Sequence, residues 1–385
     1  MYYGSATPDI CTFYRANEGE IELLTLTKRA NNSNLPKVEV VDLREELANG
    51  NRSMISNKLH EEIEKNIKSK NQTILFLNRR GFSSFVMCRD CGYTIKCKRC
   101  NISLTYHEFS NSLKCHYCGY EIKNVNLCPK CSSKNIRYFG TGTEKLEEEI
   151  KKMFPNATTI RMDIDTVSRK NSHEIIINKF KNENIDILIG TQMVVKGHHF
   201  PNVTLVGVIA ADYSLNIEDY RANERTFDIL TQVAGRAGRE KRNGRVMIQT
   251  YNPDNFCIED AKEQNYNLFY NTEIELRKQL KYPPFCDIIL FGISSKDKNS
   301  VEFAAKKIYS ILQRNVIKYK VNIEIFKPVI APISKIKNNY RWRIIAKCKL
   351  GNSIVNFINN TLEEYYGLKI KDVRVIIDTN PNNIY

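Results

Sequence analysis

No stretch of this 385-residue sequence is apolar for the about eighteen or more residues that a membrane-spanning helix needs, and no low-complexity tract or internal repeat interrupts it. Its opening, MYYGSATPDI, has neither the basic segment nor the apolar segment of a secretory leader, so a reducing, cytoplasmic setting is expected and a disulfide framework is not. Acidic side chains are in the minority: 43 Asp and Glu stand against 58 Lys and Arg, for a formal charge of +15 and a pI near 9.2. That excess is spread along the chain and not gathered in a tail, so the field favours a polyanion, nucleic acid ahead of a membrane surface. Frequent Asn, Ile and Lys give the composition an AT-rich-genome look, and part of the charge follows from that bias. The length predicts two or three domains, each able to bury a core.

Cysteine, by contrast, is concentrated. Eight of twelve fall into four CxxC pairs between residues 88 and 131: Cys88/Cys91, Cys97/Cys100, Cys115/Cys118 and Cys128/Cys131. Two thiolates of one CxxC turn can grip a tetrahedral zinc ion with Zn–S distances of about 2.3 Å, and a second turn completes the shell, so the count predicts two Zn²⁺ per chain. Cys11, Cys257, Cys286 and Cys348 are scattered singly, as reduced thiols are. Fourteen residues separate Cys100 from Cys115, the spacing of a self-contained zinc ribbon. Nested pairing is favoured: Cys97, Cys100, Cys115 and Cys118 on one metal, and Cys88, Cys91, Cys128 and Cys131 on the other. With eight thiols balanced, His107 and His116 are expected to be ordinary surface residues.

The cysteine block interrupts an alternation of strands and helices. Leu59, Ile63 and Ile67 mark a helix face, and TILFL (73–77) is a short apolar strand; Leu146, Ile150, Met153 and Phe154 then repeat at helical spacing. TTIRM (158–162) reads as a strand and 175–180 as a helix. IDILIG (185–190) and VTLVGVIA (203–210) are nearly continuous apolar strands, followed by a helix across 221–234 and a closing strand RVMIQT (245–250). Unbroken apolar strands alternating with helices imply an α/β domain with a parallel sheet covered on both faces, into which the cysteine module is inserted at a strand end.

Loops after those strands carry the candidate chemistry. Gly190-Thr191-Gln192-Met193 offers a hydroxyl, an amide and exposed N–H groups suited to a phosphate of a nucleic-acid strand, although a polar turn has the same composition. Gln232-Val233-Ala234-Gly235-Arg236-Ala237-Gly238-Arg239 is more specific. Two arginines three apart, with only small residues between them, can leave one helix end together, and their forks suit a bidentate grip on a triphosphate that Gly235 and Gly238 leave room for.

Taken together, GSATP (4–8), ILFLNRRGF (74–82), the four CxxC pairs, GTGTEKLEEEI (140–150), GTQMVVKGHHFPNVTLVGVIAAD (190–212) and QVAGRAGR (232–239) resemble, in order and spacing, the primosomal protein N′ family of superfamily 2 helicases. YPPF (282–285), PVIAPISKIKNNYRWR (328–343) and the stretch around Asn380 look like that family's C-terminal domain. The resemblance implies a RecA-like helicase lobe 2 with an inserted two-zinc cysteine-rich module, followed by a small α+β C-terminal domain. It divides the chain into 1–48 (end of helicase lobe 1 and linker), 49–87 with 132–260 (lobe 2), 88–131 (zinc-binding insertion) and 261–385 (C-terminal α+β DNA-binding domain). It also implies the C-terminal part of an ATP-dependent 3′→5′ DNA helicase, bacterial, cytoplasmic and nucleoid-associated, that recognises stalled or abandoned forks and starts replication restart by primosome assembly. Arg236 and Arg239, with Gln232 beside them, would serve ATP held by a first lobe. Ser5 and Thr7 of GSATP would couple nucleotide state to DNA; Thr191, Gln192 and Lys196 would grip the strand, and Arg341, within Tyr340-Arg341-Trp342-Arg343, would contact phosphate beside a stacking aromatic. The family's zinc sites are nested as well. The partners implied are forked and single-stranded DNA, single-strand DNA-binding protein, and primosome and helicase-loading proteins.

The sequence departs from that pattern at identifiable places. It contains no GxxxxGK[ST] phosphate loop and no acidic box to hold Mg²⁺ ahead of GSATP, and GTGTEK (140–145) has the wrong spacing for a phosphate loop. ATP and Mg²⁺ are therefore expected only with a helicase lobe 1, and the chain in isolation is expected to be inactive. His199 stands where the family has Asp, and Asn380 replaces an acidic residue. The alternative reading is a non-catalytic, zinc-containing DNA-binding scaffold lacking the ATPase lobe; retention of Arg236 and Arg239 argues for the motor.

Overall fold

The computed structural model describes residues 4–26, 35–78, 85–108, 110–139, 142–163, 172–191, 194, 200–237 and 244–382. At its centre is a six-stranded parallel sheet in the order β1 (Lys37–Asp42), β11 (Arg245–Thr250), β10 (Val203–Val208), β2 (Gln72–Phe76), β9 (Ile187–Gly190) and β8 (Thr159–Met162). Successive side chains of one strand enter opposite cores, as the two-residue period of a strand requires. Ile74 and Phe76 join Leu188, Val206 and Val208 on one face, while Leu75 joins Ile187, Ile189 and Leu205 on the other. Burial on both faces explains why these strands are apolar without alternation.

Helices α3 (Asn57–Lys68) and α4 (Thr143–Met153) cover one face through Leu59, Ile63, Leu146 and Ile150. The other face lies under α1 (Ile10–Asn17), α5 (Ser172–Asn182) and α7 (Ala222–Ala234), with α8 (Phe256–Lys262) and α9 (Tyr266–Gln279) packed on the same cluster. The short helices α2 (Leu43–Ala48) and α6 (Asp212–Leu215) follow β1 and β10.

Two of the boundaries expected from the sequence are corrected. Lys37–Asp42 is not part of a linker: it pairs in parallel with Arg245–Thr250 and forms the sheet's edge. Nor does the lobe end at residue 260, since Phe269, Tyr270 and Ile274 of α9 sit in the lobe's core and Phe269 stacks on Phe227 at 4.4 Å. Packing between distant parts of the chain decides both boundaries, across 208 residues for Lys37 and Arg245 and across 42 for Phe227 and Phe269.

The cysteine module is an antiparallel sheet ordered β6 (Glu121–Lys123), β5 (Ser112–Lys114), β4 (Thr105–His107), β3 (Phe85–Cys88) and β7 (Ile136–Phe139). The C-terminal unit is a second antiparallel sheet ordered β13 (Ile323–Ile325), β15 (Asn339–Cys348), β12 (Asp287–Ser295) and β16 (Val373–Thr379), with β14 (Val329–Ile336) also on β15. Helices α10 (Lys298–Tyr319) and α11 (Asn352–Gly367) cover one of its faces through Ala304, Ile308, Phe357 and Ile358. Its opposite face presents Ile288 and Ile345 to the cysteine module.

Candidate metal centres and motor site

The structure gathers the eight paired cysteines into two sets, Cys88, Cys91, Cys128 and Cys131, and Cys97, Cys100, Cys115 and Cys118, each with all four sulfurs within 4.8 Å of one another. Sulfur–sulfur separations of 3.7 Å for Cys88–Cys131, 3.6 Å for Cys91–Cys128 and 3.6 Å for Cys97–Cys118 match the roughly 3.8 Å edge of a tetrahedron with Zn–S bonds of about 2.3 Å. The residues present therefore fit zinc. Each knuckle turns on backbone bonds that aim both sulfurs inward: Gly92 N–H to Cys88 O, Asn101 to Cys97, Gly119 to Cys115 and Ser132 to Cys128.

The two sites differ in surroundings. All four inner cysteines (97, 100, 115, 118) are buried, whereas the outer set includes the half-buried Cys91 and the exposed Cys131. Gly92, in the outer set's first knuckle, has φ +70°, and a Cβ there would meet Asn252 Oδ1 at 2.6 Å and the Tyr251 carbonyl oxygen. Only glycine lets that turn sit against the end of β11.

His116 is not the surface residue expected; it is 4 % exposed and forms the joint between module and motor lobe. Glu218, 2 % exposed in the segment before α7, accepts the His116 backbone N–H, the His116 Nδ1–H at 2.5 Å and the Thr105 hydroxyl at 3.0 Å. The carboxylate keeps the imidazole proton on Nδ1, leaving Nε2 to accept from His107 Nε2–H at 3.0 Å. Burial, with help from His116 and Lys114, pushes the His107 imidazole down to about 4, so it is neutral near pH 7. Arg343 of β15 donates from Nε to the His116 carbonyl oxygen at 2.9 Å, and its guanidinium lies 5.6 Å from the Tyr117 ring centroid.

On the motor lobe, α7 presents Glu224, Asp228 and Gln232 at i, i+4 spacing, a single ridge that Arg236 extends beyond the helix end. Glu224 accepts the Ile10 N–H at 2.8 Å, and Asp228 is bonded to the Thr7 side chain, so the ridge holds the segment that contains GSATP. Burial, reinforced by Glu224 and Asp9 against the Thr7 bond, pushes the Asp228 carboxyl up to about 7. Gln232 is exposed, Gly235 caps the helix, and Arg236 is half-buried in the turn that follows. Ser5 is exposed and accepts the Thr7 N–H at 3.1 Å.

Thr191 is 9 % exposed at the end of β9, where its N–H reaches Met162 O at 3.3 Å. The preceding Gly190 is required there, because a Cβ would come within 2.9 Å of Met162 O and press into Val194. Gln192, Lys196, His199, Gly238 and Arg239 lie outside the described residues.

The Tyr340–Arg343 cluster is divided by the strand's alternation. Trp342 packs toward the core under α10 and α11 and is not an open stacking platform, and Arg343 is 3 % exposed, so neither is arranged for the phosphate-and-stacking role expected of the cluster. Arg341 remains half-buried, donating to Ile333 O at 3.4 Å. Asn380 bonds Ile288 N–H at 2.9 Å and donates to Asp287 Oδ1 at 2.7 Å, a donation that an acidic residue at this position could not make. Sequence reasoning missed the buried Arg277, which meets Glu224 at 2.7 Å and Glu273 at 3.0 Å.

The sheet, its flanking helices and the thiolate clusters define a RecA-like helicase lobe carrying a cysteine-rich zinc module. The family described as helicase conserved C-terminal domain matches residues 123–241, the PriA DNA helicase Cys-rich region domain matches 97–123, and the primosomal protein N C-terminal domain matches 278–382. The chain is 46% identical to the replication restart protein PriA of Bacillus subtilis (strain 168) over 379 residues, 98% of this chain and 47% of that protein. It is 40% identical to that of Synechocystis sp. over 355 residues, 90% of this chain and 42% of the relative. With the protein of Borreliella burgdorferi the identity is 36% over 361 residues, 94% and 53% of the two chains. Over nearly its whole length the chain corresponds to the C-terminal portion of these PriA replication restart proteins, and it spans about half the length of the curated relatives it matches.

Proposed function

We propose that the chain supplies the second motor lobe, the zinc module and the C-terminal domain of an ATP-dependent 3′→5′ DNA helicase that recognises stalled or abandoned replication forks and initiates restart by primosome assembly. The observation that carries this reading is the α7 ridge. One helix holds the Gly4–Pro8 segment through Glu224 and Asp228 and ends in the turn that bears Arg236, so a change at the arginine end can be transmitted to the segment beneath. On this reading Arg236 and Arg239, with Gln232 beside them and Gly235 and Gly238 giving room, meet the triphosphate of ATP·Mg²⁺ bound by a first lobe. The same reading gives Ser5, Thr7, Thr191, Gln192 and Lys196 the task of gripping the DNA strand and coupling it to nucleotide state, and gives Arg341 a phosphate contact.

The same reading assigns Zn²⁺ to both cysteine sets, where it supplies structural cross-linking. Forked and single-stranded DNA, single-strand DNA-binding protein and helicase-loading proteins are its partners, in a bacterial cytoplasm. Joined in one polypeptide to a first motor lobe, the chain is expected to hydrolyse ATP in a DNA-stimulated manner and to unwind a fork 3′→5′, and Arg239→Ala is expected to lower the ATPase rate steeply while leaving DNA affinity nearly unchanged. Fork binding with neither activity in that joined protein favours the non-catalytic scaffold.

A further inference from the structure

Beside β7 the cysteine module carries a cleft of about 420 Å³, within the range of about 300–1,000 Å³ typical of sites for small ligands. Buried Val86 and Ile136 form its floor, and Leu127, 50 % exposed, lies beside them. Asn124 adds an amide. Lys134 and Arg137 are its charged groups, and no carboxylate lines it among the described residues. Arg137 is steadied by its own backbone, Nη1 donating to the carbonyl oxygens of Lys134 at 2.9 Å and Ile136 at 3.0 Å.

Tyr138 opens onto the same cleft and is 45 % exposed. Its ring is nevertheless fixed in place. On β7 it stands opposite Val86, the Tyr106 ring lies against it with centroids 4.2 Å apart and planes at 32°, and Asn124 Nδ2 donates to its hydroxyl at 2.7 Å. Asn124 also donates to Asn111 Oδ1, which the Tyr106 hydroxyl reaches at 3.2 Å, so both tyrosines share one hydrogen-bonded anchor. Tyr106 itself does not line the cleft. Tyr138 therefore has one ring behind it and open space before it, which is the arrangement of an aromatic platform ready to take another flat ring.

Charge points to what that ring belongs to. Between residues 85 and 139 stand nine Lys and Arg against three Asp and Glu, an excess larger than the negative charge that two four-thiolate zinc sites would carry. A held aromatic face beside two cations suits an unpaired nucleotide, with its base on the ring and its phosphate on the cations. An apolar peptide would use the floor and leave both cations idle.

We propose that this cleft is a single-stranded DNA subsite in which a base stacks on Tyr138 and the adjoining phosphate lies against Lys134 and Arg137. Strands β3 and β7 are those by which the module leaves and re-enters the motor lobe, and Phe85 of β3 meets Tyr213 of α6 edge-on at 6.3 Å. A base seated here thus moves with the lobe.

The inference rests on the reading that the chain works on single-stranded DNA, and the experiment separates the two. Affinity of the full chain for labelled oligo(dT) is measured by fluorescence anisotropy; no binding by the wild type overturns that reading and this inference with it. Tyr138→Ala is expected to weaken oligo(dT) binding about five- to a hundredfold, the scale of one stacked base, and Tyr138→Phe to keep it. The slope of log K against log salt should be unchanged in Tyr138→Ala and smaller by about 0.7 in Lys134→Gln, because only the second loses a phosphate contact. Affinity for a blunt duplex should be the same in Tyr138→Ala as in the wild type.

Wild-type affinity for oligo(dT) in Tyr138→Ala, or equal weakening on the duplex, overturns the subsite and leaves the broader reading standing. Tighter binding of oligo(rU) than of oligo(dT), with the same dependence on Tyr138, overturns the assignment to DNA. Should Tyr138→Ala fail to fold, ultraviolet crosslinking of the wild type to oligo(dT) carrying 5-iodouracil decides alone: an adduct on Tyr138 supports the subsite, and adducts found only elsewhere overturn it.

Discussion

Arg277 donates to Glu224 at 2.7 Å with both side chains almost wholly buried, and through that pair α9 is tied to the helix that holds Ile10. Glu273 takes a second guanidinium nitrogen at 3.0 Å, and the carbonyl of Pro283 a third at 3.3 Å. Replacing Arg277 by Met leaves two buried carboxylates facing each other. A loss of about 3–5 kcal/mol in unfolding free energy is expected from denaturant titration; a loss below about 1 kcal/mol would mean the cluster is no better than a surface ion pair.

Asp228 gives the chain a pH dependence of known sign. Its carboxyl is raised by burial from 3.8 to about 7 in the folded chain, so the folded state holds this proton where the unfolded state has lost it. The stabilisation is complete below about pH 4 and declines as pH rises to about 7, above which it no longer changes. Asp228→Asn should flatten this part of the stability–pH curve, read from thermal unfolding between pH 4 and 8. An unchanged slope in the variant would place the titration elsewhere.

The two metal sites should come apart in order. Cys131 is exposed and the inner ligands are buried, so a chelator is expected to remove one zinc per chain quickly and the second slowly. Cys131→Ser should cost one metal and leave the α/β lobe's circular dichroism intact. Simultaneous loss of both ions would contradict independent sites.

DNA binding by the full chain should weaken steeply with salt, since the formal charge is +15. Each neutralised phosphate of a single strand contributes about −0.7 to the slope of log K against log salt, measured by fluorescence anisotropy. A slope near zero would contradict a phosphate-tracking surface.

Much of the motor lobe was legible because its strands are buried on both faces, and such strands are apolar whatever their neighbours. The CxxC knuckles were likewise legible, since each is built from contacts within four residues, and the fourteen residues between Cys100 and Cys115 favoured the nested grouping. His116 was misread for the opposite reason. Beside Cys115 it looks like any polar residue of a small module, and only Glu218, 102 residues further on, makes it a buried joint. Arg343 was misread in the same way: the alternation of YRWRIIA separates two faces of β15, but nothing local says that another domain covers the second. The edge position of Lys37–Asp42 depends on a partner strand more than 200 residues away. Arg277 was invisible as a core residue because its partners lie on two separate helices.

The distance along the chain between the inner cysteines and the strand that covers them sets a timetable for synthesis. Every ligand of both sites has left the ribosome by Cys131, whereas Ile345 follows 214 residues later, about 10–40 s at bacterial elongation rates of about 5–20 residues per second. Throughout that interval the nascent knob can already carry its ions while the apolar face that Ile288 and Ile345 cover is incomplete. The module is thus born as a sticky intermediate, and its protection from aggregation depends on how soon the last third of the polypeptide arrives.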